Sequence, residues 1–352
     1  MGSIAPVLTI AGRRVGAGHA PYIVCELSAN HNGSLERALA MIDAAAATGA
    51  DAIKIQTYTA DSLTLACDRP EFRIAGGPWN GRTLHDLYSE AGTPYEWHEA
   101  LFARARARGI PLFSTPFDEA AVDLLAALGA PAFKIASFEL VDLPLIVHAA
   151  RHGKPMILST GMAGLGEIGE AVAAARNGGA ADVALLHCIS AYPAPIEEAN
   201  VATVPHLGAA FGCVTGLSDH SPGSAASIAS IVLGGSIVEK HFTLARADGG
   251  PDAAFSLEPH EFKALVADCH SAWKAVGTVE YGVAESERGS LSFRRSLHAV
   301  RAITSGEALT RDNVRSIRPG HGLPPKHLAS VLGRKAARDI AFGEPLAWTL
   351  IA

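Results

Sequence analysis

The sequence predicts an α/β protein, a (β/α)8 barrel followed by a small β-rich domain. Eight short apolar runs end in polar residues, and stretches with helical periodicity lie between them. Near residue 280 that alternation gives way to short strands and turns. The runs cover residues 22–26, 52–56, 111–115, 132–135, 156–159, 183–187, 214–218 and 237–241. Continuous apolar runs of this length suit strands buried on both faces, the habit of parallel sheets. Eight strand–helix units over about 250 residues match the size of such a barrel. A doubly wound open sheet is the rival, but no Gly-x-Gly-x-x-Gly follows the first run.

The helices are read from periodicity. After Ser34, a predicted N-cap, Leu35, Leu39, Ile42 and Ala46 recur on one face, and Gly49 ends the run. Residues 102–108, 120–128, 165–175 and 228–233 read the same way. The second and third strands are unusually far apart. Residues 57–94, with Gly76-Gly77-Pro78-Trp79-Asn80-Gly81, read as an inserted loop able to lid a site. The barrel domain is placed at 1–284, a polar linker at 285–293, and the β-rich domain at 294–352. In the latter, 296–303 alternates, Thr310 caps a brief helix, 318–322 is a loop, 324–331 a short helix and 342–344 a turn.

Composition narrows the function classes. The 352 residues are 49% hydrophobic and 18% charged, with net charge −6, which removes the electrostatic case for nucleic-acid binding. No run approaches the ~20 apolar residues of a membrane span. Arg13 and Arg14 follow the first apolar run, the reverse of a secretory signal, and Pro6 stands where an acylation signal at Gly2 needs Ser or Thr. Five scattered cysteines without a CxxC pair argue against structural zinc or a disulfide framework and fit a reducing cytoplasm.

Catalytic groups of such barrels sit where strands exit into βα loops. Here the exits supply Glu26, Lys54 with Gln56, Thr115, Lys134 with Ser137 and Glu139, Ser159, Ser190 with Tyr192, Ser218-Asp219-His220, and Glu239-Lys240-His241. His220 and His241 end consecutive strands. Two neighbouring imidazoles with oxygen ligands suit a divalent ion such as Mn²⁺, Co²⁺ or Zn²⁺; the alternative is a local hydrogen bond for each. Lys54 and Lys134 interrupt apolar strands. Their readings are an anion pocket with Thr115, Ser137, Ser159 and Ser218, an imine-forming lysine, or structural ion pairs with Glu26, Glu139 or Glu239. Glu26 is a candidate to act on a water or hydroxyl proton. The 30–33 segment reads as a turn capping the next helix. Asp252 stands equally as a polyol contact or a turn acid.

The segments CELSANHNGS, GADAIKIQTYTADSLTL, FSTPFD, FKIASFEL, ILSTGM, LLHCISAYPAP, GLSDHSPG and VEKHFTL together resemble the sialic-acid (nonulosonic acid) synthase family. The tail RRSLHAVRAI…SIRPGHGL…LGRKAARDI resembles that family's C-terminal SAF, or antifreeze-like β-clip, domain. SANHNGS, GGPWNGRTLHDLY, TPYEWH and DGGPDAAFSLEP are most similar to the branch making pseudaminic acid. The resemblance implies condensation of phosphoenolpyruvate with 2,4-diacetamido-2,4,6-trideoxy-L-altrose. It also implies a divalent ion (Mn²⁺, Co²⁺ or Mg²⁺) and a homodimer whose SAF domain reaches the partner's barrel. By the same resemblance Glu26 is the active-site acid, and His220 and His241 hold the metal. Lys54, Gln56, Thr115, Lys134, Ser137, Ser159 and Ser218 surround phosphoenolpyruvate, while Glu139, Tyr192 and Asp252 meet the sugar. Arg318 contacts an N-acetyl group across the dimer, with Phe293 near that contact. Ile189 and Ser190 depart from the Thr and Asn of relatives, which disfavours neuraminate as product and leaves the role of Ser190 open.

Overall fold

The computed structural model describes residues 6–77 and 79–352; the reading of Gly2 and the Pro78 of the Gly-rich segment lie outside them. The chain divides into two compact units, Met1–Gly277 and Thr278–Ala352.

The first unit opens with a hairpin, β1 (Val7–Ile10) and β2 (Arg13–Gly16), paired antiparallel. Ala11 and Gly12 both have positive φ, as a tight two-residue turn requires. Eight parallel strands then close a barrel in the order β10-β3-β4-β5-β6-β7-β8-β9. They are β3 (Tyr22–Glu26), β4 (Ala52–Thr57), β5 (Leu112–Pro116), β6 (Phe133–Ile135), β7 (Met156–Ser159), β8 (Val183–Cys188), β9 (Val214–Asp219) and β10 (Ile237–His241).

The two-residue period of each strand sorts its side chains. Ile23, Cys25, Ile53, Ile55, Leu158 and Val238 face outward into the layer shared with the helices. Tyr22, Val24, Ala52, Phe113, Ala132, Ile157, Ala184, Val214 and Ile237 form an inner cluster with Leu8, Ile10 and Val15 of the hairpin. The apolar inner residues occupy the N-terminal parts of the strands. The next inward positions toward the C-terminal ends are Glu26, Lys54, Thr115, Lys134, Ser159, Ser218 and Glu239, all buried. One register therefore yields an apolar floor and a polar mouth. At Gly216 an added Cβ would strike the Ile237 carbonyl, so β9 needs glycine to approach β10.

Helix α1 (Leu35–Ala47) starts at Ser34, whose side chain accepts from the Arg37 amide, as the sequence predicts. Its deepest residues are Ala38, Met41, Ile42 and Ala45, so the buried stripe is offset from the predicted one and shares only Ile42 with it. Residues 57–94 correct the predicted loop: they contain α2 (Ala60–Leu63), a 3₁₀ turn and α3 (Leu84–Ala91). Thr59 and Thr83 cap these two helices. There follow α4 (His98–Ala107), α5 (Glu119–Ala127), α6 (Leu143–Ala150), α7 (Leu165–Gly178), α8 (Thr203–Phe211), α9 (Ala225–Val232) and α10 (Pro259–Val276). No described helix is long and apolar enough to cross a membrane.

In the second unit, residues Glu285–Phe293 form a 3₁₀ helix. Strands β11 (Ser296–Ala299) and β12 (Val314–Ile317) pair antiparallel. They pack with Ile303, Leu309, Val331, Ile340, Leu346 and Leu350 in a separate core, beside the one-turn helix α11 (Leu328–Val331). The helix predicted after Thr310 is instead a turn, because Asn313 Oδ1 accepts from the Thr310 amide and Thr310 Oγ1 from the Asp312 amide. Local side-chain bonds of this kind compete with helix formation.

Candidate active site

At the barrel mouth the inward polar residues meet. Lys54 Nζ lies 2.6 Å from Glu26 Oε2 and 3.2 Å from Glu239 Oε1. It also donates to Thr115 Oγ1 at 3.2 Å. Lys134 Nζ donates to Ser159 Oγ at 2.7 Å and lies 3.6 Å from Glu239 Oε1. Ser218 Oγ donates to the same Glu239 oxygen at 3.3 Å. Two ammonium groups and two carboxylates thus share one interior.

Burial pushes the Glu26 carboxyl up, and Lys54 offsets this only in part. Burial works against the Lys54 ammonium too, but Glu239 and Glu26 outweigh it and raise its pKa. Glu239 is desolvated as well, yet Lys134 and Lys54 hold its carboxyl below the usual range. For Lys134 burial dominates and lowers the ammonium's pKa.

The histidines stand on adjacent strands with ring centroids 5.3 Å apart. His220 Nδ1 is 2.9 Å from the Ile189 carbonyl. A carbonyl only accepts, so this nitrogen carries the proton, and Nε2 is the ligand atom of the neutral ring. Burial disfavours the charged ring, but neighbouring Cys188 outweighs it and raises the imidazole's pKa, so an ion there would compete with a proton. His241 Nδ1 is buried without a hydrogen-bond partner among the described residues, and so is Glu239 Oε2. Burial and then neighbouring His220 push His241 well below the usual imidazole range, which keeps it neutral, the ligand form. Two available imidazoles and a carboxylate oxygen in want of a partner fit a borderline divalent ion.

Beside this cluster opens a cavity of about 430 Å³. Its polar lining includes Ser28, Gln56, Glu139, Ser190, Tyr192, His241 and Asp252; its apolar wall includes Leu63, Ile74, Trp79, Leu84, Leu87 and Phe138. Gln56 Nε2 donates to Ser28 Oγ at 3.1 Å, and Ser28 Oγ in turn bonds Asp252 Oδ2. Asp252 is therefore fastened to the mouth rather than being a free turn acid. Tyr192 packs over His220 with centroids 4.3 Å apart, and Trp79 lies 5.8 Å from Tyr192. Trp79 Nε1 also donates to the Pro251 carbonyl, tying the inserted segment to the loop after β10. Burial raises Glu139 from 4.5 to about 7. Ser137 Oγ accepts from the Gly161 amide at 3.1 Å, and a Cβ on Gly161 would collide with Ser137 and Ser190.

Fourteen of the sixteen predicted site residues are thus gathered at one mouth. Phe293 and Arg318 belong to the second unit, where both are exposed. Ser296 Oγ donates to the Pro319 carbonyl and accepts from the Gly322 amide, which fixes the loop that begins at Arg318. Sequence reasoning treated Glu239 only as an ion-pair partner and left out Ser28, Gly161 and Cys188, whereas the apolar wall comes mostly from the 57–94 segment that it reads as a lid. Glu239 could have been found, since it lies two residues before His241 on the inward face of β10. Cys188 Sγ, 3.7 Å from His220 Nδ1, ends β8 on the same inward register.

A closed parallel barrel with ionisable groups at the C-terminal ends of its strands is the architecture of a (β/α)8 enzyme. The chain belongs to the NeuB family, whose profile matches residues 41–281, and a SAF domain matches residues 294–352. It is 43% identical over 325 residues to the pseudaminic acid synthase of Campylobacter jejuni, covering 92% of this chain and 95% of that one. To the pseudaminic acid synthase of Helicobacter pylori it is 42% identical over 327 residues, covering 93% and 96%. Among solved structures, an N-acetylneuraminic acid synthetase from Leptospira borgpetersenii superposes with TM-score 0.73 at 30% identity, covering 84% of this chain and 98% of that one.

Proposed function

We propose that this chain condenses phosphoenolpyruvate with 2,4-diacetamido-2,4,6-trideoxy-L-altrose and water, giving pseudaminic acid and phosphate. The observation that carries this reading is the junction of a buried Lys–Glu cluster and two imidazoles with a cavity that has one apolar wall. A trideoxy diacetamido sugar presents three methyl groups, which Ile74, Leu84, Leu87 and Trp79 can cover. A sugar richer in hydroxyls would leave those groups unpaired against apolar surface.

Lys54 and Lys134, with Thr115, Ser159 and Ser218, would hold the carboxylate and phosphate of phosphoenolpyruvate. Glu26 and Glu239 already offset both lysines, so an incoming polyanion calls for further positive charge. His220 and His241 would hold a divalent ion (Mn²⁺, Co²⁺ or Mg²⁺), which supplies that charge and Lewis-acid polarisation of the sugar aldehyde. Carbon 3 of the enolpyruvate bonds to the aldehyde carbon as the carbonyl π pair moves onto the aldehyde oxygen, and positive charge develops at carbon 2. That oxygen becomes a hydroxyl by taking up a proton equivalent to the one drawn from the attacking water. Glu26, whose carboxyl is raised by burial, takes a proton from the water that adds there. The bond from carbon 2 to the phosphate oxygen then breaks, phosphate leaves with the electron pair, and the added hydroxyl passes its proton to the departing phosphate as the carbon 2 ketone forms. Gln56, Ser137, Glu139, Ser190, Tyr192 and Asp252 would orient the reactants. The partner subunit's Arg318 and Phe293 would complete the sugar site in a homodimer, and the reaction would take place in the cytoplasm.

The deciding assay follows phosphate release with the altro sugar, its gluco and manno isomers and N-acetylmannosamine in parallel. Fastest turnover with the altro sugar is expected; a preference for a manno acceptor would move the assignment to legionaminate or neuraminate synthesis. His241→Ala should abolish turnover and weaken metal binding, while near-normal activity in chelated buffer would remove the metal from this account. Arg318→Ala should raise the sugar KM and spare the fold.

A second reading starts from Lys134, a buried lysine in β6 whose nearest carboxylate is 3.6 Å away: burial disfavours its ammonium form, which would also suit imine chemistry. Borohydride trapping with pyruvate would label that lysine in an aldolase and leave it unlabelled in the synthase.

A further inference from the structure

We propose that helices α5 and α6 carry a second cation site, separate from the barrel mouth, in which Asp123, His148 and His152 bind a borderline transition-metal ion such as Zn²⁺. One ligand atom from each of the three residues lies within 4.8 Å of the other two. His148 Nε2 stands 2.8 Å and His152 Nε2 3.5 Å from the same oxygen, Asp123 Oδ1. Ligand bonds of about 2.0–2.1 Å at tetrahedral angles place donor atoms ~3.4 Å apart, so little movement is needed to admit an ion. The spacing is built into the sequence. His148 and His152 are four residues apart and share one side of α6 and its C-terminal turn, while Asp123 comes from the neighbouring α5. Ring centroids of the two histidines are 6.0 Å apart.

The surroundings suit ligation. Glu119, one turn before Asp123, places Oε1 3.9 Å from His148 Nδ1, on the ring nitrogen that does not face Asp123. At that distance it makes no hydrogen bond, but a small side-chain movement would bring it to where a carboxylate orients a metal-binding imidazole. The His152 ring packs against Phe133 at 5.7 Å, which limits its rotation. Hydrogen bonding from His148 holds the Asp123 carboxyl below the ordinary carboxylate range. Two imidazoles and one carboxylate with an open position prefer Zn²⁺, Ni²⁺ or Cu²⁺ over Mg²⁺ or Ca²⁺, which take oxygen donors. Phe133 opens β6, at the N-terminal end of the strands, so this cluster lies toward the floor and none of its residues lines the mouth cavity. A bound ion would clamp α5 to α6 without touching the chemistry.

The test is calorimetric titration of Zn²⁺ into full-length, untagged, chelator-stripped protein. The wild type should take up one equivalent more than His148→Ala/His152→Ala, and Zn²⁺ should raise the melting temperature of the wild type more than that of the double variant. Asp123→Asn should weaken the extra equivalent at least ~10-fold, and Glu119→Gln by about 10-fold. Phosphate release by the double variant should be unchanged, since the four side chains are remote from the mouth. Equal stoichiometry in wild type and double variant, or an extra equivalent that persists in both it and Asp123→Asn, would overturn the site.

Discussion

Two buried charge clusters belong to one barrel, one between strands and helices and one inside the mouth, and they are finished differently. Between β9 and β10, Lys240 Nζ lies 2.8 Å from Asp219 Oδ2 and donates to the Ser221 carbonyl at 2.6 Å. Asp219 also accepts from the Ser221 amide, the Ser221 hydroxyl and the Ser227 hydroxyl. Every oxygen of that carboxylate is met by the chain itself. One residue further along each strand stand His220 and His241, and across the mouth Glu26, Glu239, Lys54 and Lys134. There Glu239 Oε2, His241 Nδ1 and Glu139 Oε2 lack partners among the described residues. Burying an unpaired polar atom costs about 1–3 kcal/mol. Folding alone gives no reason to keep several in one place, whereas a site completed by ion and substrate does.

The comparison can be broken by variants that treat the two clusters alike. The largest effect on stability is expected at the satisfied pair. Lys240→Met leaves Asp219 charged and unpaired in the interior, a loss on the order of 3–5 kcal/mol. Asp219→Leu/Lys240→Met should recover much of it, and chemical denaturation measures both. An undiminished midpoint for Lys240→Met would show that the pair is not what fastens β9 to β10. At the mouth Glu239→Gln should cost stability as well, because Lys54 and Lys134 hold that carboxylate ionised and both buried ammonium groups lose it. The loss should be smaller than at Lys240→Met, since Lys54 keeps Glu26, while turnover falls on the order of 100-fold. Steady-state kinetics beside a melting curve separates the two outcomes.

How much of this was legible depends on which signal each part carries. Strands β3, β7 and β10 have the predicted bounds because short apolar runs capped by polar residues have few other uses. The same alternation sends Glu26, Lys54 and His241 inward, so the mouth followed from the strands. The helices of the inserted segment were hidden by composition: Gly76, Gly77 and Gly81 drew attention away from Thr83, a cap followed by Leu84, Leu87 and Tyr88 at helical spacing. Helix α10 had a readable pattern in Pro259, Phe262, Leu265, Val266 and Cys269 that the strand count overshadowed. Ser28 and Gly161 carried no local signal. Their importance comes from Asp252 and Ser137, far along the chain, and only folding brings those together.

The smallest effect sharpens the contrast through pH. Glu139 is raised from 4.5 to about 7 because its carboxyl is buried at the cavity edge with one oxygen unpaired. A carboxyl that binds its proton more tightly when folded makes the native state less favourable as pH rises between those values. Below 4.5 the group is protonated in both states and contributes nothing; above 7 the whole cost is present, roughly 1–3 kcal/mol after allowance for its partial exposure. Glu139→Gln should therefore match the wild type near pH 4 and exceed it in melting temperature at pH 8, flattening the slope between. Parallel melting curves for the two proteins would place the raised acid elsewhere. If the sugar fills that part of the cavity, saturating acceptor should shrink the wild-type slope as well, because a hydrogen bond from the substrate to the ionised carboxylate supplies the partner that the folded chain leaves out.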